Sequence, residues 1–231
     1  MLKTIETSVP QMLAAGFKYT IPLAIISFFF GLILALITAL VRLSKKHGPF
    51  LLIKWIFSFY VWLFRSTPLL VQLFIVFFGL PYLKIKGIFP NGIKLEPFTA
   101  GVITFSLNTG AYASETIRAA INSVPQGQWE AGMSMGMSKL RTFWRVILPQ
   151  AFRVALPPLS NSFISLVKDT SLAASITIME MFAVSQQLAA ENYQPLLMYS
   201  LVALLYAIFT TILSLLQKYL EYVTNRHLKT E

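Results

Sequence analysis

Long apolar runs recur along this chain of 231 residues and limit the folds open to it. A helix of about 20 apolar residues is long enough to cross the hydrocarbon core of a bilayer, which is about 30 Å thick. We predict five such spans, at about residues 19–41, 66–83, 98–121, 157–182 and 195–220. The predicted fold class is therefore an all-α membrane protein, with about five transmembrane helices in one domain formed by residues 1–231.

The composition indicates that lipid is the solvent for much of this chain. Hydrophobic residues make up 56% of it and charged residues 12%, whereas soluble domains carry about 25% charged residues. The formal net charge is +10, and most basic residues lie between the apolar runs. Basic residues placed in this way set the orientation of the helices in the membrane and contact anionic lipid, whereas a nucleic-acid-binding protein would gather them on one polar face. We therefore expect a lipid bilayer as a partner and no nucleic acid.

Residue types that serve metal or redox chemistry are sparse. The chain has no cysteine, which excludes disulfides and thiolate metal sites. Its two histidines, His47 and His227, are far apart in polar flanks, and no carboxylate pair stands out. We therefore predict no metal site and no catalytic residue. A phosphate-binding loop of the Gly-x-x-x-x-Gly-Lys-Ser/Thr type is also missing, so we expect no cofactor in this chain and no ATP hydrolysis by it alone.

The second apolar run needs a break. Phe50–Leu83 would be about 51 Å long as one helix, too long for a simple span. Arg65-Ser66-Thr67-Pro68 divides it, and Pro68 is tolerated in a first helical turn. We predict that Phe50–Phe64 is a partly interfacial lead-in, that the second span begins at Ser66, and that Arg65 lies near the cytoplasmic boundary.

Basic residues in the connections predict the orientation. The first connection carries Arg42, Lys45, Lys46, Lys54 and Arg65, the second Lys84, Lys86 and Lys94, and the third Lys139, Arg141, Arg145 and Arg153. The fourth connection carries no Lys or Arg and contains Glu191. Cytoplasmic loops carry the excess of Lys and Arg, so the first and third connections should be cytoplasmic. Five spans then place the N-terminus outside and the C-terminus in the cytoplasm.

The third connection, residues 122–155, is too polar to cross a membrane and contains the most informative motif. Glu130-Ala131-Gly132 is followed after three residues by Gly136 and after nine more by Val146-Ile147-Leu148-Pro149. This resembles the EAA loop of ABC-importer permeases, in which Glu-Ala-Ala, three residues, Gly, nine residues and Ile-x-Leu-Pro follow one another. Gly132 replaces the second Ala and Val146 replaces the Ile. The alternative is an amphipathic helix pair on the membrane surface.

The resemblance implies a type I ABC-importer permease fold in which this segment is a cytoplasmic coupling loop that contacts a separate ATPase. The coupling residues it implies are Glu130, Ala131, Gly132, Gly136, Leu148 and Pro149. Ser123 to Gln126 can form a capping box at the start of a short helix, with Pro125 in its first turn. Ala131 and Gly132 are small enough for close approach to a partner groove, and Gly136 permits a turn.

Further stretches extend the resemblance over nearly the whole chain. Similar to polar amino-acid permeases are the runs Arg65-Ser-Thr-Pro-Leu-Leu-Val-Gln-Leu-Phe, Phe-Gly79-Leu-Pro81, Pro149-Gln-Ala and those around Asn108 and Lys168. Residues 105–115 and 164–172 are most similar to the cystine-importing branch. The resemblance implies a bacterial inner-membrane location, an ABC ATPase dimer that binds ATP and Mg, an extracytoplasmic substrate-binding protein, and a second permease copy, identical in a homodimer or different in a heterodimer.

The fourth predicted span supplies the best candidates for the substrate path. Lys168 and Asp169 lie about 17 Å from its start at Pro157, near the midplane, where an ionisable residue is costly and suggests a function. Asn161 and Ser165 share a helix face with Asp169, and Thr170 and Ser171 extend the polarity. A zwitterionic amino acid suits one cation and one anion, which Lys168 and Asp169 offer; the alternative is that both form structural ion pairs.

Three further predictions concern helix contacts and symmetry. Asn108 is a second candidate for the substrate path, because it is a polar residue near the midplane. The alternative is that it forms a plain hydrogen bond between helices. Glu115 and Arg118 are spaced for an ion pair within one helix. In a homodimer, two copies of Lys168 and Asp169 would face each other about a two-fold axis, which suits the nearly symmetric cystine.

Two other classes of transporter stay open at this point. A permease for another polar amino acid, such as glutamine, arginine or histidine, fits the same motifs. A secondary transporter or channel would show internal repeats and broken helices. No repeat is visible, and five spans do not divide into two equal halves.

Overall fold

The computed structural model describes residues 2–44, 48, 50–84 and 90–225, and every regular element in these ranges is helical. The α-helices are α1 (Leu2–Ala15), α2 (Ile21–Leu43), α3 (Phe50–Ser66), α4 (Leu69–Phe74), α5 (Pro97–Asn122), α6 (Gln126–Ser134), α7 (Lys139–Thr142), α8 (Leu148–Asp169), α9 (Met181–Asn192) and α10 (Pro195–Asn225). Short π-helical segments occupy Gly16–Thr20, Ile75–Gly79 and Phe143–Ile147, and 3-10 segments occupy Leu80–Tyr82 and Thr170–Ile176. Lys45, Lys46, His47, Lys86 and His227 lie outside the described residues.

The first predicted span lies inside a longer helical rod made of α1 and α2. The π-helical segment Gly16–Thr20 joins them without a break, so the helical path begins at Leu2 rather than at Tyr19. This segment ends two residues before Pro22, which has no N–H to donate within the helix. A π-bulge is one of the ways in which a helix continues past such a residue.

The second apolar run folds as two helices with a sharp bend between them. The axes of Phe50–Ser66 and Leu69–Tyr82 differ in direction by 111°. The break falls at Thr67-Pro68, inside the predicted interruption, but Ser66 ends α3 instead of starting the second span, and α4 begins at Leu69. The preceding helix α3 belongs to the helical bundle, because it packs against α5 and the Tyr60 hydroxyl donates a hydrogen bond to the Leu107 carbonyl; that α3 is partly interfacial stays a prediction. Arg65 accordingly lies at the level of Tyr112, well before the end of α5 at Asn122.

The third predicted span corresponds to α5, which is the central helix of the described structure. It packs against α2, α3, α4 and α8, and residues along much of its length are buried. At 26 residues it would be about 39 Å long. Because α5 carries Ser, Thr, Asn and charged side chains, it is less apolar than the two helices that could cross a membrane by themselves. Polar side chains are tolerated here because neighbouring helices, not lipid, surround them.

The predicted bounds of the coupling loop and the fourth span need correction. Helical structure begins again at Lys139 and continues through α7, a π-helical segment and α8 to Asp169, so the second half of the segment 122–155 belongs to the same helical path as the span. Pro157 and Pro158 lie inside α8 instead of starting it. The helical path then bends by 54° before α9 begins at Met181. A single helix over 157–182 is therefore wrong.

The cause of that second bend is local. Thr177 adopts a left-handed backbone conformation with φ of 66°, which ends the 3-10 segment. Glu180 then caps the N-terminus of α9, because its carboxylate accepts hydrogen bonds from the backbone N–H groups of Phe182 and Ala183 at 2.8 and 2.7 Å. The fifth predicted span begins at Pro195 as predicted and extends as α10 to Asn225.

Within the described ranges, two helical stretches are long and apolar enough to cross a membrane, Lys3–Leu43 and Pro195–Thr224. The two bent pairs bring the number to four if each forms one span. With the enclosed helix α5 added, these stretches match the five predicted regions, and the number of membrane crossings stays a prediction. The main buried core lies where α2, α5, α8 and the 3-10 segment after α8 meet.

Candidate functional site

A polar cavity of about 490 Å³ lies between the α3–α4 bend, α5 and α8. Its lining residues are Thr67, Pro68, Leu69, Asn108, Thr109, Tyr112, Asn161, Ser162, Ser165, Leu166, Asp169 and Leu172. We call it the Asp169 cavity, because Asp169 is the one charged side chain among these residues. The cavity is large enough to hold an amino acid.

One wall of this cavity is the face of α8 that the sequence predicts. Asn161, Ser165 and Asp169 are spaced four residues apart, so a helix stacks their side chains on one side. The sequence alone predicts this grouping. On the opposite wall the sequence predicts Asn108 of α5, and what it misses is the bend at Thr67 and the α5 residues Thr109 and Tyr112.

The structure separates Lys168 from Asp169. Neighbouring residues on an α-helix point about 100° apart, and Lys168 lines a different cavity of about 510 Å³ together with Ser171, Tyr199 and Tyr206. We call this the Lys168 cavity. Lys168 and Asp169 thus line different cavities of this chain, and the prediction that they serve one substrate as a cation–anion pair stays a prediction. Thr170 lines neither cavity; it is buried, and its hydroxyl donates to the Val167 carbonyl at 2.7 Å.

Asn108 takes part in a hydrogen-bond network that holds the α3–α4 bend. Its side-chain amide donates to Gln72 Oε1 at 3.0 Å. The Gln72 amide in turn donates to the carbonyls of Phe64 and Thr67, at 2.9 and 3.0 Å, which the bend leaves without helical partners. The interhelical role considered for Asn108 is thus present, and Asn108 also lines the Asp169 cavity. Gln72, which is buried, was not identified from the sequence; its place four residues after Pro68 was the available signal.

A second polar cavity, of about 430 Å³, lies beside the first. We call it the Arg65 cavity; it is lined by Arg42, Ser58, Val61, Trp62, Arg65, Ser66, Tyr112 and Glu115. The predicted pair of Glu115 and Arg118 is present, with the guanidinium donating at 2.6 and 2.9 Å. Arg42 from α2 also forms an ion pair with Glu115, a contact that sequence reasoning could not predict across 73 positions.

Glu180 is a buried carboxyl group that the sequence analysis missed. Its side chain has no exposed surface. Besides the two backbone N–H groups of α9 it accepts a hydrogen bond from the Tyr206 hydroxyl at 2.7 Å. An acidic residue just before an apolar helical run is a helix-start signal and could have identified the cap, although not the contact with α10.

The coupling residues lie in α6, in the turn after it and at the start of α8; α6 and α7 together form a compact surface unit, which we call the coupling unit. Glu130, Ala131 and Pro149 are exposed and Leu148 is half-buried. Gly136 has a φ of 78°, which favours glycine and lets the chain turn between the helices. Gly132 differs from the prediction, since it faces Thr142 of α7 instead of the surface; a Cβ atom there would lie 2.5 Å from Thr142 Cγ2. Its small size serves packing within the chain.

The coupling unit packs against the ends of the helices that enclose the Asp169 cavity. Trp129 of α6 stacks on Phe143 with ring centroids 6.2 Å apart. Both contact a buried cluster that includes Ile121 of α5 and Ile147 at the start of α8. The predicted capping box is wrong, because Pro125 is the N-cap residue of α6 without a side-chain bond and the Ser123 hydroxyl donates to Ala120.

The described residues contain no group of three or more His, Asp or Glu side chains placed to hold a metal ion. Both histidines, His47 and His227, lie outside the described part of the chain, so the prediction concerning them is not addressed by the geometry.

Comparison with known proteins gives consistent similarities. Residues 31–223 match the family model described as "Binding-protein-dependent transport system inner membrane component". The chain is 51% identical over 224 residues to the L-cystine transport system permease protein TcyB of Bacillus subtilis (strain 168), covering 96% of this chain and 91% of that protein. It is 39% identical to the probable amino-acid ABC transporter permease protein YckA of the same organism, covering 89% and 86%.

A solved structure is similar over nearly the full length. The crystal structure of an amino acid ABC transporter with histidines matches with a TM-score of 0.84 and 30% identity, covering 95% of this chain and 96% of that chain.

Proposed function

The chain belongs to the family of inner membrane components of binding-protein-dependent transport systems, as a permease of the amino-acid ABC importers, and from this premise we propose that L-cystine is its substrate. Members of this family are permease subunits and not themselves enzymes. The observation that carries the substrate proposal is the 51% identity, over nearly the whole chain, to an L-cystine permease. The geometry of the Asp169 cavity supports an amino-acid ligand independently of that similarity.

The Asp169 cavity has the chemistry to receive one end of a zwitterion. Asp169 offers a carboxylate to an ammonium group. Asn161 and Ser165 place an amide and a hydroxyl beside it, and both can donate or accept hydrogen bonds. We propose that Asn108, Asn161, Ser165 and Asp169 contact the substrate, and that Lys168, Thr170 and Ser171 support the surrounding helices.

The proposed assembly contains a second permease copy, and we favour a homodimer. Two copies of the Asp169 cavity related by a two-fold axis would offer one carboxylate to each ammonium group of cystine, which is itself nearly symmetric. The other proposed partners are an ABC ATPase dimer, which would hold ATP and Mg, and an extracytoplasmic binding protein that delivers the substrate.

We propose that α6 and α7 dock on the ATPase. Glu130 and Ala131 of α6 are exposed for that contact, and Pro149 is exposed at the start of α8. Movement of α6 would pass through the stacked Trp129 and Phe143 to the buried cluster at the ends of α5 and α8. These two helices also line the Asp169 cavity, so displacement at the coupling unit would change the cavity walls. The proposed orientation places α6 and the C-terminus in the cytoplasm and the N-terminus outside.

Uptake by the reconstituted complex tests the substrate. The permease would be placed in vesicles with candidate ATPases and binding proteins, and labelled cystine would be compared with glutamine, arginine and histidine. We expect ATP-dependent uptake that favours cystine. Preference for another of these amino acids would correct the substrate, and uptake without any ATPase would indicate a secondary transporter.

Replacement of Asp169 tests the cavity. Asp169→Ala is expected to lower cystine uptake at least tenfold, because a desolvated ammonium group would lose its charged partner. Assembly and ATP hydrolysis stimulated by the binding protein should be retained. Glu191→Ala, which removes an exposed carboxylate on α9, is the matched control and should leave uptake unchanged. Normal uptake by Asp169→Ala would exclude the proposed role of this cavity.

A further inference from the structure

The Arg65 cavity adjoins the Asp169 cavity on the side of the coupling unit. Tyr112 lines both cavities. Along α5, Asn108 lines the first cavity and Glu115 the second, which places them about 10 Å apart on the helix axis. Since α5 continues from Glu115 toward Asn122 and the coupling unit, the Arg65 cavity is the next polar space in that direction.

The two cavities carry opposite charge. Asp169 makes the first cavity acidic, and no Lys or Arg occurs among its lining residues, all of which lie in the described part of the chain. The second cavity is lined by Arg42, Arg65 and Glu115. Glu115 is already bound by Arg42 and also by Arg118, so its single negative charge is opposed twice before Arg65 is considered. The second cavity is therefore basic.

Arg65 retains the capacity to bind an anion. No described carboxylate lies within ion-pair distance of its guanidinium group. The guanidinium carbon lies 5.4 Å from the centroid of the Tyr112 ring, in a cation–π contact that leaves its N–H groups available. Tyr112 also donates from its hydroxyl to the Arg65 carbonyl at 3.4 Å. A planar guanidinium with free N–H groups is suited to a carboxylate, which it can bind through two parallel hydrogen bonds.

We propose that the Arg65 cavity is a second substrate subsite, in which Arg65 binds the carboxylate of the amino acid as it passes from the Asp169 cavity toward the coupling side. This inference rests on the proposed amino-acid transport. Lys168 lines a separate cavity, so Arg65 supplies the cation that adjoins the Asp169 cavity. Ser58 and Ser66 place two hydroxyl groups at the same cavity for the remaining carboxylate lone pairs.

Substitutions at Arg65 in the reconstituted complex test this subsite. Arg65→Gln is expected to lower the maximal rate of cystine uptake about tenfold or more, the factor that corresponds to loss of one charge-assisted hydrogen bond. The concentration of loaded binding protein that gives half-maximal uptake should stay unchanged, because the binding protein captures the substrate before it reaches Arg65. Arg65→Lys keeps the positive charge and should restore part of the rate.

Lys54→Gln is the matched control. It removes a positive charge from the same helix, and Lys54 contacts the Ser44 carbonyl at 3.5 Å without lining the cavity. Its uptake should equal that of the wild type. Complex assembly and basal ATP hydrolysis, measured on each variant, separate transport from folding.

Two results would overturn the subsite. One is wild-type uptake by Arg65→Gln, and the other is an equal loss in Arg65→Gln and Arg65→Lys accompanied by failure to assemble. If the wild-type complex prefers another amino acid, the proposed substrate is corrected and the same comparison is made with that amino acid. If the wild-type complex imports no amino acid, the proposed function and the subsite both fail.

Discussion

Glu180 is a carboxylic acid without exposed surface, and neutral donors satisfy it. The backbone N–H groups of Phe182 and Ala183 and the hydroxyl of Tyr206 all donate to its two oxygens. A buried polar group is tolerated only when it is hydrogen-bonded, and here one side chain satisfies both the start of α9 and a hydroxyl of α10. Glu180 therefore fixes the angle at which the chain turns from α8 into α9.

Glu180→Ala is expected to lower the free energy of unfolding by about 2–4 kcal/mol, because it removes a helix cap and leaves the Tyr206 hydroxyl without its acceptor. The midpoint of thermal unfolding of the purified permease in detergent measures the effect. Glu180→Gln, which keeps an acceptor oxygen at the cap, should lose less. Glu191 lies on the exposed face of the same helix, so Glu191→Ala should leave the midpoint unchanged. Equal midpoints for Glu180→Ala and wild type would contradict the assigned role of Glu180.

At the scale of elements, breaks in the helices position the functional residues. Pro68 interrupts the second apolar run; the Gln72 side chain donates to the Phe64 and Thr67 carbonyls at the break, and its own carbonyl oxygen accepts from Asn108. Residues on the two sides of the break line different cavities, since Arg65 and Ser66 line one and Thr67 to Leu69 line the other. The contact between α6 and α7 is equally specific, because Gly132 leaves no room for a side chain against the buried Thr142.

Gly132→Ala tests the α6–α7 contact. The added methyl group would meet Thr142 at 2.5 Å and should destabilise the coupling unit by about 1–3 kcal/mol. Thermal unfolding and the ATP hydrolysis stimulated by the binding protein measure the loss. Thr142→Ala in the same chain should restore much of it, because the clashing atoms are removed.

Gly127→Ala is the control for that change. Gly127 lies on the same helix, and a Cβ atom there meets nothing within 4 Å. Alanine is favoured over glycine in a helix, so this variant should be neutral or slightly more stable. If Gly132→Ala behaves in the same way as Gly127→Ala, the close contact has no energetic consequence.

At the scale of the whole molecule, one polar helix is enclosed by more apolar ones. α5 carries Asn108, Glu115 and Arg118, and it is surrounded by α2, α3, α4 and α8. The coupling unit follows the C-terminus of α5. The connection between α9 and α10 precedes the N-terminus of α10. These two regions are expected on opposite sides of the membrane.

The absence of cysteine from the sequence makes this topology directly measurable. Single cysteines at Gly127, in α6, and at Tyr193, which is 90% exposed between α9 and α10, need no altered background. A membrane-impermeant maleimide should label Tyr193→Cys in intact cells and Gly127→Cys only after permeabilisation. Labelling of Gly127→Cys in intact cells would place the coupling unit outside and remove the basis for contact with an ATPase.

The sequence by itself determined the class of fold, the break at Pro68, the face shared by Asn161, Ser165 and Asp169, and the resemblance that led to the family. These features depend on local composition and helical period, which can be counted along the chain. The helical period already points Lys168 and Asp169 about 100° apart, but tertiary structure alone decided which cavity each of them lines and that Gly132 packs inward. It also decided the contacts of Arg42 with Glu115, Gln72 with Asn108, and Glu180 with Tyr206. Each of these depends on how separate helices pack and rotate against one another, and the local pattern of residues does not specify that rotation.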